Sequence, residues 1–181
     1  YVTSITPSSE YPDEGYQLTN GKRANPIYSD TQRVGYQPSR ADEPLTVTLD
    51  LGKSQYFEQV KIGFIESLAQ LLNVYIPKDI TIECSNDGAN WTTYQTTTAL
   101  ERQTGYNVLR FYSDKNPVTA RYLRFTMSLQ RLTFIDQIEV LKEFVPGVDA
   151  SMAPDNAQTK NLVRGSSSVG VSRPADFRNA V

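Results

Sequence analysis

The stretch Leu45-Thr-Val-Thr-Leu-Asp-Leu-Gly52 alternates apolar and polar residues. Successive side chains of a β-strand point to opposite faces, so the apolar residues share one face and Thr46, Thr48 and Asp50 share the other. Gly52 is a residue type at which such a run commonly stops. We therefore expect a strand with one buried face and one face in water, ending at Gly52.

Four other segments repeat this alternation. Their apolar positions are Val60, Ile62 and Phe64; Ile80, Ile82 and Cys84; Leu123, Phe125 and Met127; and Ile138 and Val140. Turn-forming residues separate the segments, as at Asn86-Asp87-Gly88. No segment combines a helical pattern with good caps, although 66–72 has the spacing of a single helical turn. The sequence predicts an all-β fold with antiparallel strands.

The composition of the 181 residues narrows the classes of function. Hydrophobic residues make up 39% and charged residues 21%, which is too apolar for a disordered chain and too interrupted by charge for membrane insertion. The formal net charge is -2, so no global positive field attracts nucleic acid. Cys84 is the single cysteine and histidine is absent, which excludes disulfide frameworks, Cys/His zinc sites and catalysis by imidazole.

The composition also predicts how the chain is divided. Residues 1–144 carry the strand patterns, whereas 145–181 are rich in small and polar residues. We expect a β-sandwich over 1–144, followed by a linker and the start of a second similar module, with a linker alone as the alternative. The chain begins at Tyr1 without a methionine or a signal peptide, so we expect it to be part of a larger secreted or cell-surface protein.

Five short motifs follow one another along the chain. They are Leu18-Thr-Asn-Gly21, Leu45 to Gly52, Ile80-Thr-Ile-Glu-Cys-Ser-Asn-Asp-Gly88 with Trp91, Ala120-Arg-Tyr-Leu-Arg-Phe125 and Ile135-Asp-Gln-Ile-Glu-Val140. Each is weak alone, but together and in this order they resemble the discoidin, or coagulation factor 5/8 type C, family over roughly 2–141. The resemblance implies a galactose-binding-like jelly roll of about eight antiparallel strands in two sheets, with a binding surface formed by loops at one end.

The resemblance also implies one structural calcium ion near the first loop. Position matching puts four residues at its ligand positions: Leu18 and Lys22 through their carbonyls, Asn20, and Gln137. Asn20 and Gln137 stand where the family usually has Asp and Glu, and calcium affinity depends on ligand charge, so the site is expected to be weakened. Three nearby acids could restore charge: Asp30, Asp136 and Glu139. A weak calcium site and an amide-bonded turn that replaces the metal both stay open.

Sugar recognition needs flat apolar faces and planar polar groups. The first long loop offers both, in Tyr28, Asp30, Arg33, Tyr36 and Arg40. The run 71–76 adds Tyr75, which we expect to face outward, although this apolar run alternatively packs the mouth of the sandwich. Each tyrosine could equally be a ring at the sandwich edge. Arg102 and Tyr106 are reserve candidates, whereas Trp91, Arg121 and Arg124 are expected to be structural.

Three functions from different classes are compatible with these residues. The favoured function is a non-catalytic module that binds polysaccharide and is attached to a polysaccharide-active enzyme or a surface protein. The polysaccharide is expected to be anionic if four cationic residues pair with its carboxylates: Lys22, Arg23, Arg33 and Arg40. The alternative is a structural spacer or an adhesion module without sugar binding. A glycoside hydrolase or lyase is disfavoured, because Asp13-Glu14 and Asp42-Glu43 are adjacent acids of the solvated kind.

Overall fold

The computed structural model describes residues 1–25, 27, 29–67, 73–98, 106–144 and 152–153, with the backbone alone for 106–110, 112 and 152–153. These residues form ten strands and one 3-10 turn, Gln17–Thr19. The strands are β1 (Val2–Thr3), β2 (Val34–Tyr36), β3 (Glu43–Phe57), β4 (Gln59–Ser67), β5 (Ile80–Ser85), β6 (Thr92–Thr97), β7 (Tyr106–Tyr112), β8 (Val118–Leu129), β9 (Thr133–Leu141) and β10 (Met152–Ala153).

The strands form two five-stranded sheets. The first sheet has the strand order β1-β3-β8-β5-β6, and the second has the order β10-β7-β4-β9-β2. Within each sheet, all neighbouring strands are antiparallel. Eight of the strands are longer than two residues. The predicted all-β sandwich is therefore confirmed. The described residues contain no helix with the length and apolar character to cross a membrane.

The core lies between the two sheets and receives alternate residues from both. The apolar face of the stretch 45–51 is buried as its alternation predicts, with no residue of that face more than 3% exposed. Phe57, Phe64, Phe111 and Phe125 add fully buried rings to the same cluster. Each such side chain stabilises the fold by about 1.5–3 kcal/mol through burial.

The prediction that the first strand ends at Gly52 is wrong. β3 pairs with β8 from Glu43 to Asp50, and the pairing resumes from Gln55 to Phe57 after a shift of register. Gly52 has a φ of 79°, which glycine adopts without strain, so the extra residues form a bulge instead of a stop. Glu66 and Ser67 of the predicted helical turn belong to β4, and 68–72 lie outside the described residues.

The loops gather at two ends of the sandwich. The near end consists of 37–42, 73–79 and 130–132, beside the start of β3 and the end of β8. The far end consists of the bulge of β3 at 51–54 and the loops at 86–91 and 113–117. Two backbone hydrogen bonds hold the loop at 73–79 in place at the near end. The Tyr75 N–H donates to the Leu132 carbonyl at 2.9 Å, and the Lys78 N–H donates to the Ser128 carbonyl of β8 at 2.9 Å.

The first long connection lies along one edge of the second sheet. β2 pairs only with 133–135 of β9. The segment 17–25, which we call the edge loop, lies beside the rest of β9. Leu18 of this loop is fully buried. The predicted domain boundary at 144 stays a prediction, because 145–151 and 154–181 lie outside the described residues; Met152–Ala153 pair with Phe111 and Arg110 of β7.

Candidate functional site

The residues at the predicted calcium position are bonded to one another and to the edge loop. The Gly21 N–H donates to Gln137 Oε1 at 3.2 Å, and the Lys22 N–H donates to Asn20 Oδ1 at 2.8 Å. The other end of the Asn20 amide donates to Gln32 Oε1 at 3.0 Å. The side-chain oxygens of Asn20 and Gln137 therefore accept backbone N–H groups.

The acids that were expected to restore charge are also engaged. Asp136 is fully buried and its Oδ2 accepts the Ala24 N–H at 3.1 Å. Glu139 accepts the Arg23 guanidinium through both oxygens, at 3.0 and 3.2 Å, and the Lys61 ammonium at 2.8 Å. Two side-chain cations and a backbone N–H thus meet the carboxylates of β9.

Asp30 forms a separate turn. It accepts hydrogen bonds from the Asn25 N–H at 2.9 Å, the Asn25 amide at 2.7 Å and the Gln32 N–H at 2.8 Å. Burial acts to raise the pKa of Asp30, but these hydrogen bonds and the charge of Arg33 outweigh it and lower the pKa below its ordinary value. The side chain of Asp30 therefore fixes the backbone at Asn25 and at Gln32.

These groups do not fit a calcium ion. Calcium takes six to eight oxygen ligands, and its affinity depends on anionic ones. Asp136 accepts a backbone N–H through Oδ2, Glu139 is paired with two cations, and the remaining predicted ligand side chains are neutral amides. Among the residues that the structure describes, no cluster of three or more histidine, cysteine, aspartate or glutamate side chains is arranged to hold a metal.

Two of the predicted ligand-binding residues are buried, which corrects their assignment. Arg33 is 1% exposed, and its guanidinium donates to the carbonyls of Ile27 at 3.2 Å and Asn25 at 2.8 Å. Tyr36 is fully buried in the main core, where burial raises the pKa of its hydroxyl strongly. Both side chains face the interior beside the short strand β2, so neither ring nor guanidinium presents a surface to a ligand. Tyr28 lies outside the described residues.

Arg40 and Tyr75 lie at the near end, away from the turn that contains Asp30. Arg40 is exposed and Tyr75 is half-buried. Tyr75 is fixed through its backbone, since its carbonyl accepts the Thr133 hydroxyl at 2.9 Å and its N–H donates to Leu132. The structure thus divides the predicted ligand cluster into a structural group at Asp30, Arg33 and Tyr36 and an accessible pair at the near end.

The apolar run before β5 packs the mouth of the sandwich in its described part. Val74 and Ile76 are each 1% exposed, and Val74 joins Ile65 and Phe134 in a small second cluster. Tyr75 stands between them in the sequence and is the more exposed of the three. Residues 71, 72 and 102 lie outside the described residues, and of Tyr106 only the backbone is described.

Two charged residues of the near end, Lys78 and Arg131, were missed as site candidates by sequence reasoning. Lys78 and Arg131 are exposed, and the Lys78 ammonium lies 3.7 Å from Asp42 Oδ1. Because β3, β5 and β8 are antiparallel neighbours, the loops at 37–42, 73–79 and 130–132 must meet. That pairing, read from the strand pattern, was the signal that could have identified them.

The residues assigned to structure have structural partners. Trp91 Nε1 donates to the Gly88 carbonyl at 3.1 Å, and the Arg124 guanidinium lies 4.2 Å from the centre of the Trp91 ring. Arg124 also bonds Glu83 at 2.7 Å. Arg121 pairs with both oxygens of Asp50, each at 2.8 Å. Trp91, Arg121 and Arg124 therefore brace the first sheet, as predicted.

A cavity of about 370 Å³ opens at the far end beside the turn between β5 and β6. Its polar groups are bonded within the turn region. Asp87 accepts Asn90 and Ser85 side chains as well as two backbone N–H groups, which lower its pKa well below the ordinary range. Asn86 accepts the Ser54 hydroxyl and donates to the Thr119 carbonyl. The polar lining of this cavity thus stabilises the hairpin.

Comparison with known proteins places the chain among β-sandwich modules. The sequence model of the F5/8 type C domain matches residues 2–134. No curated protein sequence matches the chain. Among solved structures, chitosan-binding module 1 of a chitosanase/glucanase from Paenibacillus sp. IK-5 is 21% identical, with 77% of this chain and 91% of the module covered and a TM-score of 0.50.

Two further structures are similar at the level of the fold. The module CpGH89CBM32-6 of Clostridium perfringens is 19% identical, with 78% of this chain and 93% of that one covered and a TM-score of 0.50. A GH29 fucosidase of Ruminococcus gnavus, in complex with fucose, is 19% identical over 78% of this chain, with a TM-score of 0.51. The chain spans 25% of the length of that fucosidase.

Proposed function

Since the chain belongs to the F5/8 type C domain family, we propose that it is a non-catalytic carbohydrate-binding module whose ligand contacts lie at the near end. The observation that carries this proposal is Tyr75, a half-buried tyrosine that is anchored through its backbone in the same loops as exposed charged residues. An anchored aromatic ring offers a flat apolar face at little entropic cost. Polar groups around such a face are what a sugar, with its apolar C–H faces and its hydroxyls, requires.

The charges around Tyr75 favour an anionic polysaccharide. Three cationic side chains are exposed at the near end: Arg40, Lys78 and Arg131. A guanidinium can bind a carboxylate through two hydrogen bonds, and Lys78 is already near Asp42, which leaves the two arginines as the stronger candidates. Uronic-acid or otherwise acidic sugars would use both the ring and the guanidinium groups.

A binding role is supported over a catalytic one by the bonding of the acids. Asp13 accepts the Tyr1 hydroxyl and the Gln17 N–H, and Asp42 lies beside Lys78. Glycoside hydrolysis needs two carboxyl groups that face each other across a cleft with different pKa values. Asp13 and Asp42 thus have structural partners, and these partners belong to different parts of the chain.

The proposal includes a larger context. One similar structure is a module derived from a chitosanase/glucanase, and another is part of a fucosidase chain four times the length matched here. A module attached to an enzyme raises the local concentration of the enzyme at its substrate. We propose that this chain acts in the same way, in a secreted or cell-surface protein with other domains.

The test is retention by immobilised polysaccharides, both neutral and acidic, with variants at the two ends of the sandwich. Tyr75→Ala and Arg40→Ala should each weaken retention several-fold, and together abolish it. Tyr56→Ala and Lys53→Ala are the matched controls, because both side chains are exposed near the far end, and they should bind as the unaltered chain does.

Two results would contradict the proposal. Equal weakening by the controls would mean that the near end is not the binding surface. The absence of retention on every neutral and acidic polysaccharide would favour the alternative, a spacer or a protein-adhesion module. Circular dichroism of each variant separates lost binding from lost folding.

A further inference from the structure

We propose that the edge loop is fixed to β9 without a metal ion, and that the charge cluster of Arg23, Glu139 and Lys61 does the structural work that the family resemblance assigned to calcium. This inference is independent of the proposed sugar binding. It rests on the amides at the predicted ligand positions, the charges behind them and the direction of the backbone donors.

The amides are better suited to these positions than carboxylates are. Gln137 accepts the Gly21 N–H and donates to the Ile138 carbonyl at 3.3 Å. Asn20 accepts the Lys22 N–H and donates to Gln32. A carboxylate accepts hydrogen bonds but cannot donate them when ionised. Replacing either amide with an ionised acid would remove the bond that the amide donates, so the amides complete a network that carboxylate ligands could not form.

The charges behind the amides come from the protein itself. Lys61 lies directly opposite Glu139 in the pairing of β4 with β9, and its side chain is 1% exposed. Arg23 approaches the same carboxylate from the edge loop. Glu139 therefore joins a cation of the sheet to a cation of the loop. A buried ammonium needs such a partner, because the loss of hydration costs several kcal/mol per ion.

This arrangement offers no net negative charge to a divalent cation. The Arg23 guanidinium and the Lys61 ammonium offset the carboxylates of Glu139 and Asp136, and calcium affinity depends on anionic ligands that are not already neutralised. The backbone N–H groups of Gly21 and Ala24 point towards Gln137 and Asp136, so these donors take acceptor oxygens that a metal would need. The attachment of the loop is therefore expected to be insensitive to chelators.

The test uses the full chain, with hydrogen exchange measured by NMR in calcium and in EDTA. The amides of Gly21 and Ala24 should be protected equally in both, and the melting temperature should differ by less than about 1 °C. Protection of these two amides only in calcium, or a fall of several degrees in EDTA, would overturn the proposal. Neither readout requires a bound sugar.

A variant tests the charge cluster directly. Arg23→Gln should speed exchange at Gly21 and Ala24 at least several-fold, in calcium as in EDTA, while the amides in the core of β3 stay protected. Arg131→Gln is the control, because it removes an exposed arginine at the near end. Unchanged exchange in Arg23→Gln, or restoration of protection by calcium, would show that the cluster does not hold the loop.

Discussion

The substitution Arg33→Ala separates a structural arginine from a ligand-binding one. Arg33 donates to the carbonyls of Asn25 and Ile27 from a nearly fully buried position. A hydrogen bond from a charged donor contributes about 1.5–3 kcal/mol, so the two bonds together contribute about 3–6 kcal/mol. Asn25 and Ile27 lie at the surface, where water can replace the lost donor. We therefore expect Arg33→Ala to lower the free energy of unfolding by about 2–4 kcal/mol.

The assay is urea unfolding followed by tyrosine and tryptophan fluorescence, with thermal melting beside it. A loss of this size lowers the melting temperature of a domain of this length by roughly 5–15 °C. The matched variant is Arg40→Ala, an exposed arginine whose removal should change the free energy of unfolding by less than about 0.5 kcal/mol. If Arg33→Ala were as stable as Arg40→Ala but bound polysaccharide less well, the assignment of Arg33 to the interior would be refuted.

Three further predictions concern other parts of the sandwich. A Cβ added at Gly35 would lie 2.8 Å from the Cβ of Tyr11, whereas a Cβ added at Gly15 would meet nothing within 4 Å. Calorimetry should therefore show that Gly35→Ala lowers the free energy of unfolding by about 1–3 kcal/mol and that Gly15→Ala leaves it nearly unchanged. Burial acts to raise the pKa of Asp50, but hydrogen bonds from Arg121 and from a backbone N–H outweigh it and lower the pKa. A carboxyl group with a lowered pKa stabilises the fold when it is ionised, and this contribution is lost as the pH falls through that pKa. Urea midpoints measured below about pH 4 should therefore fall less steeply in Asp50→Asn than in the unaltered chain, and equal slopes would contradict this ion pair. Burial raises the pKa of Cys84 to about 12, so a thiol reagent at about pH 8 should react slowly with the folded chain and rapidly in urea, and fast labelling of the folded chain would contradict that burial.

The fold was predictable because the strand pattern is regular. Alternation at 45–51 fixed which residues face the core, and the order of the motifs fixed the family. The end of the first strand was not predictable in the same way. A glycine after an alternating segment is compatible both with the end of a strand and with a bulge inside it. Only the pairing with β8 distinguishes these two possibilities, because β3 pairs with β8 again from Gln55 onwards.

The site was predictable only in part, because sequence adjacency does not give exposure. Tyr36 and Arg40 belong to the same long connection, yet the first lies in the core and the second in water. Tyr36 alternates with Val34 in β2, which turns both inward, whereas Arg40 follows the strand. The sequence left an amide-bonded turn and a weak calcium site both open at Gln137, because the Gly21 N–H that its side chain accepts lies 116 residues away along the chain.

The edge loop has a consequence for how copies of this chain behave when they are crowded. A strand at the border of a sheet exposes unpaired N–H and C=O groups, which form a template for fibrils and for unwanted association. Beyond the three residues paired with β2, β9 would present such a border, and the loop covers it through bonds to Asp136, Gln137 and Glu139. The loop therefore removes one of the borders along which the sheets of two copies could join, and leaves the outer strands β1, β6 and β10 as the remaining ones in the described part of the chain.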